Sequence, residues 1–498
     1  MNKRLYYNSI IALIYQVCSV IIGLIIPRLI LGQFGSEING LVTSISQFLS
    51  VISLMDLGVG AVVQSSLYKP LAEKDNDRIS VVYSVASKYF GTIAKILIVY
   101  IIILCFYYGL FKSETYSWLF TTTLILALSI DYFARYYFGI CNSILLNADQ
   151  RIYVVTLVNL YGLFANAIVT VTLLYAGAGI QLVKLASSCI FLTKPLILKL
   201  YVSRNYNIVK IKKPPKNAIP NMWNGLAQHV TVTVSGSIGN ILLTIFSTFT
   251  MISIYNVYVL PLISIKTLVD TTSNSYKSFF GNLIARDEKK KLQVEFSKYE
   301  TMMHFLASAV MSTCMVVLVP FVLVYTNNVN DADYRNNIFC LIIVIAYSMY
   351  ILRIIYTNMI FAAGKFKETQ NYCIIECALN LILSLALVRP LGIVGVALGA
   401  AVSAGYRMIV SAYYLKKDIL KRNLTHLYKH LITDAICFFA VFFISKIIQM
   451  EIPNFFWLII YAMLVFLLSI IVCVVVHFIA YRKQMLSIIG MVVNKLKH

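Results

Sequence analysis

The sequence predicts an all-α integral membrane protein with about 14 transmembrane helices. Its composition is the first reason. Of the 498 residues 60% are hydrophobic and 12% are charged, and the mean hydropathy is +0.80. These values lie outside the range of soluble domains. The second reason is that about 28 Lys and Arg residues fall in alternate loops between apolar spans, against about three in the other loops. Cytoplasmic loops retain basic residues in this way, so both termini are predicted to be cytoplasmic.

The basic residues follow the predicted topology closely. Those on the predicted cytoplasmic side lie in segments 1–7, 69–82, 147–152, 199–219, 282–298, 364–369, 415–430 and 481–498. The outer loops near 32–40, 111–117, 175–179, 246–249, 326–336, 388–392 and 449–455 hold Lys112, Arg335 and Arg389. The net charge of +22 therefore consists largely of orientation signals and contacts to anionic lipid, and it does not indicate nucleic-acid binding.

Apolar spans of the required length, about 20 residues, fill the chain between these loops. Clear examples are 96–110, 153–175, 338–361, 431–449 and 454–480. The first apolar run continues to about Leu31 without a small-residue cleavage site, so it is predicted to be a retained helix. The ten cysteines are scattered and none lies in an outer loop, so neither disulfides nor a metal site is expected.

Two halves of the chain resemble one another weakly. Gly23 and Gly236, and Tyr201 and Tyr414, are each separated by 213 positions. We therefore predict a six-helix half at 1–203, a cytoplasmic linker at 204–220, a second six-helix half at 221–415, and helices 13 and 14 with a cytoplasmic tail at 416–498. Six spans is an even number, so both halves insert with the same orientation.

Any function is predicted to lie within the helix bundle, because no outer loop exceeds about a dozen residues. Spans 2 and 8 each carry polar residues at three- and four-residue steps, which places them on one helix face. The stripe of span 2 includes Asn39, Thr43 and Ser50, and that of span 8 includes Thr267 and Thr271. Interhelical packing explains single residues of this kind. Four related stripes, on spans 1, 2, 7 and 8, favour a shared polar cavity between the halves.

Charged residues within the spans give the candidate substrate-binding set. It consists of Arg28, Asp56, Arg135, His229, Lys266, Asp270, Arg353 and Arg407. Cations outnumber acids in the spans, which suits an anionic ligand, and the guanidinium fork suits phosphate. A structural interpretation stays open, because Asp131 with Arg135, and Lys266 with Asp270, are one turn apart and can pair within their own helices. Lys194 and Lys446 lie near span ends, where Lys snorkels to the interface.

Segment 25–75 carries a resemblance to a known family. It contains Pro27-Arg28, the Gly32-x-x-Gly35 turn with Gly40, and Asp56-Leu57-Gly58 before the first cytoplasmic loop. In these pieces the chain resembles the polysaccharide repeat-unit flippases of the Wzx type, which move O-antigen or capsule units. They belong to the multidrug/oligosaccharidyl-lipid/polysaccharide exporter superfamily. The six-plus-six-plus-two layout extends the resemblance to the whole chain, although span 7 lacks a matching Pro-Arg pair.

The resemblance implies a transporter that flips polyprenyl-diphosphate-linked oligosaccharide from the inner to the outer leaflet of the bacterial cytoplasmic membrane by alternating access. It implies membrane lipids, a polysaccharide polymerase and glycosyltransferases as partners, and H⁺ or Na⁺ as a coupling ion in place of a cofactor. The alternative is a cation-coupled multidrug or metabolite antiporter of the same superfamily, for which twelve spans and an acidic interior are expected. A membrane enzyme is disfavoured, because none of the six histidines shows a catalytic spacing.

Overall fold

The computed structural model describes residues 3–56, 59–111, 116–209, 211, 226–365, 367–448 and 450–486. Within these residues there are α-helices and short 3₁₀ and π turns and no β-strand, which confirms the predicted all-α fold. The helices are α1 Lys3–Ser50, α2 Val59–Glu73, α3 Asn76–Phe111, α4 Trp118–Ala134, α5 Ile140–Ala148, α6 Ile152–Tyr175, α7 Ile180–Asn205, α8 Leu226–Phe246, α9 Phe249–Ala285, α10 Lys289–Tyr325, α11 Asn337–Ala362, α12 Gln370–Leu391, α13 Ile393–Tyr414, α14 Thr425–Ser445 and α15 Phe455–Ala480.

Among the described residues, 12 helical stretches are long and apolar enough to cross a membrane. The longest of them, Ile10–Met55, contains the first two predicted spans, and the seventh predicted span falls on α8. These stretches agree with an integral membrane protein. The count of 14 and the cytoplasmic side of the termini stay predictions.

The first two predicted spans are separated by a backbone break inside α1. Gly35 has φ 80° and ψ 177°, between two helical stretches. This conformation is essentially restricted to glycine, because a Cβ atom would clash with the backbone. The break lies in the first predicted outer loop and in the predicted Gly32-x-x-Gly35 turn. The second part of α1 ends in a 3₁₀ turn, Val51–Asp56.

The chain forms two compact units, Met1–Ile241 and Leu242–His498. In the first unit, the stretch of α1 before the Gly35 break lies along α6 and contacts it at both ends. The Asn8 side chain donates to the Gln150 carbonyl at 3.0 Å and accepts from the Tyr153 amide at 2.8 Å. At the far end, Gln33 Nε2 donates to the Leu174 carbonyl at 3.0 Å. The two helices therefore run parallel, as expected for two predicted spans that both start on the cytoplasmic side.

The chain after α7 runs along the start of α3. The backbone amides of Val209 and Ile211 donate to the hydroxyls of Ser80 and Ser84, each at 3.1 Å. Both segments are predicted to be cytoplasmic. Most of the predicted linker, including Pro214 and Pro215, lies outside the described residues.

In the second unit, loops predicted to share a side also contact one another. Gln293 Nε2 donates to the Leu420 carbonyl at 2.8 Å, which joins two predicted cytoplasmic segments. The Tyr258 hydroxyl, near the start of α9, donates to the Tyr334 carbonyl at 2.7 Å in a predicted outer loop. The predicted division into two halves, a linker and a terminal pair stays a prediction, because the two units reflect packing and do not test the repeat.

Helices α12 and α13 pack closely through small residues. A Cβ atom on Gly395 would lie 2.2 Å from the Leu387 carbonyl oxygen, and one on Gly399 would lie 2.2 Å from Ser384 Oγ. The two glycines are four positions apart and share one face of α13. Such small residues allow helix backbones to approach within a membrane, where packing replaces the hydrophobic effect as the driving force. This contact holds Glu376 of α12 and Arg407 of α13 in the same part of the unit.

Candidate functional site

A polar cavity in the first unit contains one of the predicted site residues. Arg135 begins a π turn, Arg135–Gly139, between α4 and α5, and π turns frequently mark functional positions because they break the regular helix register. Together with Asp131 on α4 and Lys194 on α7 it lines a cavity of about 370 Å³. We name Asp131, Arg135 and Lys194 the N cluster.

The N cluster depends on a glycine that makes room for a lysine. A Cβ atom on Gly162 of α6 would lie 2.6 Å from the Cδ atom of Lys194, so glycine admits the aliphatic stem at this point. The Lys194 ammonium lies 4.1 Å from the centre of the Phe191 ring. Lys194 therefore lies among the cavity residues, whereas its position near a span end had suggested an interfacial snorkel.

The formal charge of the N cluster is positive, since two cations accompany one carboxylate. Ser143 and Asn159 add a hydroxyl and an amide to the wall of the same cavity. Such a set can balance an anion and donate hydrogen bonds to it. Sequence reasoning placed Asp131 and Arg135 together because they are one helical turn apart. The participation of Lys194, 59 positions after Arg135, has no local signal in the sequence.

The second unit contains a larger charged group, which we name the C cluster: Lys266, Asp270, Tyr350, Arg353, Glu376 and Arg407. The Arg353 guanidinium forms a hydrogen-bonded ion pair with the Glu376 carboxylate. The side chain of Arg353 is 18% exposed and that of Glu376 is 4% exposed. A pair so deeply placed is retained only with good geometry, because both charges lose hydration.

Tyr350 lies beside two cations of the C cluster. The Arg353 guanidinium carbon is 4.8 Å from the Tyr350 ring centre and the Lys266 ammonium is 5.0 Å from it. The negative face of an aromatic ring attracts both cations and keeps them near one another. Asp270, one turn after Lys266 on α9, interacts electrostatically with Lys266 and Arg353.

Arg407 completes the C cluster from α13. It is 2% exposed, and its Nη1 donates to the Thr369 carbonyl at 3.1 Å, at the start of α12. It also interacts electrostatically with Glu376 and Arg353. The cluster then has three cations and two carboxylates, so its formal charge is again positive. The structure thus brings together Lys266, Asp270, Arg353 and Arg407.

Three predicted site residues are not among the described side chains of either cluster. Arg28 is half-buried on α1 and is not among the residues that line the N-cluster cavity. Asp56 ends the 3₁₀ turn after α1, and His229 lies on α8. The side chains of Asp56 and His229 lie outside the described part of the structure, so their predicted roles stay predictions.

Glu376 is the residue that sequence reasoning left without a role. Arg353 has no acid within a turn of its own helix, so the sequence alone indicates no ion-pair partner for it. Its partner comes from the following helix, 23 positions later. The available signal was the presence of one acid, Glu376, in a span that is otherwise nearly uncharged.

The hydroxyls of the polar stripes donate mainly to their own helices. Thr43 donates to the Asn39 carbonyl and Thr271 to the Thr267 carbonyl, each at 2.8 Å, and Ser50 donates to the Gln47 carbonyl at 2.6 Å. This bonding satisfies each hydroxyl hydrogen without a neighbouring helix. The oxygen lone pairs remain available as acceptors.

No protein-family model matches the chain, and no curated protein matches it. Solved structures do match. One is a lipid II flippase, MurJ, in an inward closed conformation, with a TM-score of 0.60, 14% identity, and coverage of 96% of this chain and 99% of that chain. Another is an inward-facing multidrug resistance MATE family transporter of the MOP superfamily, with a TM-score of 0.60, 12% identity, and coverage of 79% and 92%.

A third match is the MATE transporter VcmN from Vibrio cholerae in its bent form, with a TM-score of 0.51, 13% identity, and coverage of 85% and 98%. At such identities the likeness concerns the fold. The matched molecules are transporters by name, and they include both a flippase and multidrug transporters. The chain therefore has the fold shared by these membrane transporters.

Proposed function

We propose that the protein is a flippase that moves polyprenyl-diphosphate-linked oligosaccharide repeat units from the inner to the outer leaflet of the bacterial cytoplasmic membrane. The single observation that carries the proposal is the positive formal charge of both the N cluster and the C cluster, on helices apolar enough to span a membrane. Cations at membrane depth are costly and mark sites of function. A diphosphate is the group of this substrate that they would bind.

Arginine supports this assignment more than lysine would. The guanidinium groups of Arg135, Arg353 and Arg407 present planar pairs of donors that match phosphate oxygens. The Arg353–Glu376 pair then acts as a competitor, because the substrate must replace a carboxylate that already occupies one side of Arg353. Because Glu376 competes with the substrate for Arg353, substrate binding is reversible, as transport requires.

The direction of transport agrees with the charge of the substrate. An inside-negative membrane potential favours outward movement of negative charge by about 2.3 kcal/mol per elementary charge per 100 mV. A diphosphate with about two charges gains roughly twice this amount. The fold similarity to a lipid II flippase supports a lipid-linked substrate. A polysaccharide polymerase and glycosyltransferases are the partners that this proposed substrate implies.

The test uses the purified full chain in lipid vesicles that contain lipid-linked oligosaccharide extracted from the native host. Membrane-impermeant periodate oxidises only sugars on the outer surface of the vesicles. With the wild-type protein, the oxidised fraction should rise from the outer-leaflet share to nearly the whole pool. The Arg135→Gln/Lys194→Gln double variant and the Arg353→Gln variant should slow this rise at least about tenfold, which is about 1.4 kcal/mol in the activation free energy of flipping.

Lys446→Gln is the matched control. It also removes a lysine near the end of a span, but Lys446 lies over the Phe442 ring in α14 and belongs to neither cluster, so its rate should equal that of wild type. Equal oxidation in vesicles with and without the protein would contradict the proposal. Export of a cationic dye driven by an ion gradient, without flipping, would support the antiporter instead.

A further inference from the structure

A second buried polar network lies in the Leu242–His498 unit, outside the C cluster. It comprises Glu300 and His304 on α10, Arg422 before α14, and His430 and Asp434 on α14; we name these five residues the histidine network. Glu300 and His304 are 0% exposed at their side chains and His430 is 1% exposed. Groups that can carry charge are rarely buried to this extent unless they are paired or functional.

His304 is held between an acid and a phenol. Its Nδ1 lies 2.6 Å from Asp434 Oδ2, and its Nε2 lies 3.0 Å from the Tyr356 hydroxyl on α11. The Ser308 hydroxyl donates to the other Asp434 oxygen at 2.7 Å. Asp434 can therefore accept from an Nδ1–H group, which leaves Nε2 of a neutral ring to accept from Tyr356.

Glu300 and His430 form the other side of the network. Arg422 Nη2 donates to Glu300 Oε1 at 2.5 Å, while Glu300 Oε2 lies 3.7 Å from His430 Nε2. Among the described residues, Glu300 Oε2 and His430 Nδ1 have no hydrogen-bond partner. These two buried atoms are therefore available for a hydrogen bond that the present arrangement does not contain.

The two imidazole rings are stacked. The ring centres of His304 and His430 are 4.4 Å apart at 16°, and His430 stacks in turn on Tyr481 at 4.3 Å and 10°. Two charged rings at this distance would repel strongly where water is excluded. The network can therefore accept a positive charge on one of the rings and opposes a second.

The formal charges indicate how many protons the network lacks. With both imidazoles neutral, Glu300 and Asp434 contribute two negative charges and Arg422 one positive charge, so the sum is −1. The other titratable groups that face the two rings are Tyr356 of α11, and His477 and Tyr481 at the end of α15. His426 of α14 is exposed and interacts with His430 only electrostatically. Lys429 is directed away, over the Tyr481 ring and onto the Ala480 carbonyl. One added proton neutralises the network.

Asp434 connects the network to a cavity. Its side chain is 15% exposed, and it lines a cavity of about 410 Å³ between α10, α11 and α14. Nδ1 of the neutral ring already carries the hydrogen that Asp434 accepts, so the added proton is bound either on the Asp434 carboxylate or at Nε2 of His304, which faces the Tyr356 hydroxyl. When both ring nitrogens carry hydrogen, Nε2 donates to the Tyr356 oxygen, and the Tyr356 hydroxyl can turn towards Glu300, with which it interacts.

We propose that the His304–Asp434 pair, together with His430, Glu300 and Arg422, is a binding site for one proton. Sodium fits the same place poorly, because each carboxylate already faces a nitrogen, Arg422 at Glu300 and His304 at Asp434, and hard cations take oxygen ligands. The inference that this site couples proton movement to transport rests on the proposed function. The inference that it binds a proton does not. It also places the site on helices α10 and α14, which carry none of the residues assigned to the substrate.

The test is a pH titration of the full chain in lipid nanodiscs, with the imidazole nitrogens labelled with ¹⁵N and read by NMR. His304→Gln assigns the His304 signals. In wild type, His304 should gain one proton between about pH 9 and about pH 5, while His430 stays neutral. Asp434→Asn removes the carboxylate that stabilises the charged ring, so the midpoint should fall by at least about one pH unit.

Ser308→Ala gives the opposite shift and changes little volume. It removes a donor from the Asp434 carboxylate, so the pair should hold its proton more tightly and the midpoint should rise. His426→Gln, an exposed histidine on the same helix, is the matched control and should leave the His304 midpoint in place. No titration of His304 across this range, or a midpoint unmoved by both variants, would overturn the proposal. The experiment contains no transport substrate, so its outcome is independent of the proposed flippase activity.

Discussion

At the residue scale, the charged side chains of the C cluster are positioned by contacts from several helices. Arg353 on α11 is fixed by Glu376 on α12 and by the face of Tyr350, and Arg407 on α13 is fixed by a carbonyl at the start of α12. An arginine that is paired with a carboxylate can still bind phosphate, because phosphate offers the guanidinium group the same bidentate geometry. The cluster can therefore exchange an internal anion for an external one.

Arg28 gives the first prediction. It follows Pro27, which is expected to kink the first span, and it has no acid within a turn on its own helix. If Arg28 contacts the diphosphate or the first sugar, Arg28→Ala should abolish export of surface polymer, and Arg28→Lys should impair it, because lysine keeps the charge but loses the planar fork. Surface polymer is measured in a strain that lacks its own copy, with immunoblots to establish equal protein levels.

The control for Arg28 is the interfacial alternative. A residue that only snorkels to the interface would tolerate lysine fully and alanine nearly so. Full export by a well-expressed Arg28→Ala protein would refute the assigned role.

At the element scale, the break within α1 determines how the first two predicted spans are connected. The two helical stretches of α1 meet at a single residue, so that residue must have a backbone conformation that bends the chain sharply. Gly35 supplies it with φ 80° and ψ 177°. Gly32, three positions earlier, is helical, and a Cβ atom there would meet no atom within 4 Å.

The two glycines therefore make a matched pair of variants. Gly35→Ala should lower the stability of the protein by roughly 1–3 kcal/mol, because alanine is strained in this region of φ/ψ space. Gly32→Ala should be neutral or slightly stabilising, since alanine favours the helix. Thermal aggregation midpoints of the two purified variants, read by size-exclusion fluorescence in detergent, compare them directly. Equal midpoints for Gly35→Ala and Gly32→Ala would mean that the break is not required.

The helices themselves could be predicted from the sequence, and their partners could not. Composition and loop charge predict helices because, within a membrane, each span must satisfy its backbone N–H and C=O groups with hydrogen bonds inside the helix. Pairing within a turn, such as Lys266 with Asp270, is also visible in the sequence. By contrast, the His304–Asp434 contact joins residues 130 positions apart, and the π turn at Arg135 interrupts a stretch that hydropathy reads as one continuous span. Both depend on tertiary packing, which has no period in the sequence.

A weaker signal for the histidine network was present. Glu300 and His304 are one helical turn apart, and so are His430 and Asp434. Each pair places an acid and an imidazole on the same face of its helix. The pattern was not decisive because Glu300 lies beside a strongly basic segment, 282–298, that was assigned to a cytoplasmic loop. In the structure that segment continues into α10, so the acid belongs to a long helix.

At the scale of the whole molecule, hydrogen bonds within each of the two units agree with the predicted topology. In the first unit, Asn8 contacts the turn at Gln150, and Gln33 contacts the end of α6. In the second unit, Gln293 contacts Leu420. Each of these contacts joins segments that the charge pattern assigns to the same side of the membrane. Independent agreement in both units favours the predicted alternation, since a shifted span would reverse the side of every later loop.

The helix α10 allows this topology to be tested with two positions at its opposite ends. It contains 37 residues, so it extends about 55 Å, well beyond a hydrocarbon core of about 30 Å. Lys289 begins the helix in a predicted cytoplasmic segment, and Asn328 lies just after its end in a predicted outer loop; both are exposed. In intact cells, a membrane-impermeant maleimide should label Asn328→Cys but not Lys289→Cys. After permeabilisation it should label both.

The parent chain, with its ten native cysteines, is the control, since none of them lies in a predicted outer loop and intact cells should give only background labelling. Labelling of Lys289→Cys alone in intact cells would indicate the opposite orientation for the whole protein, because the two ends of α10 determine the sides of both neighbouring loops. The proposed outward direction of flipping would be unaffected, because it rests on the charge of the substrate and on the membrane potential.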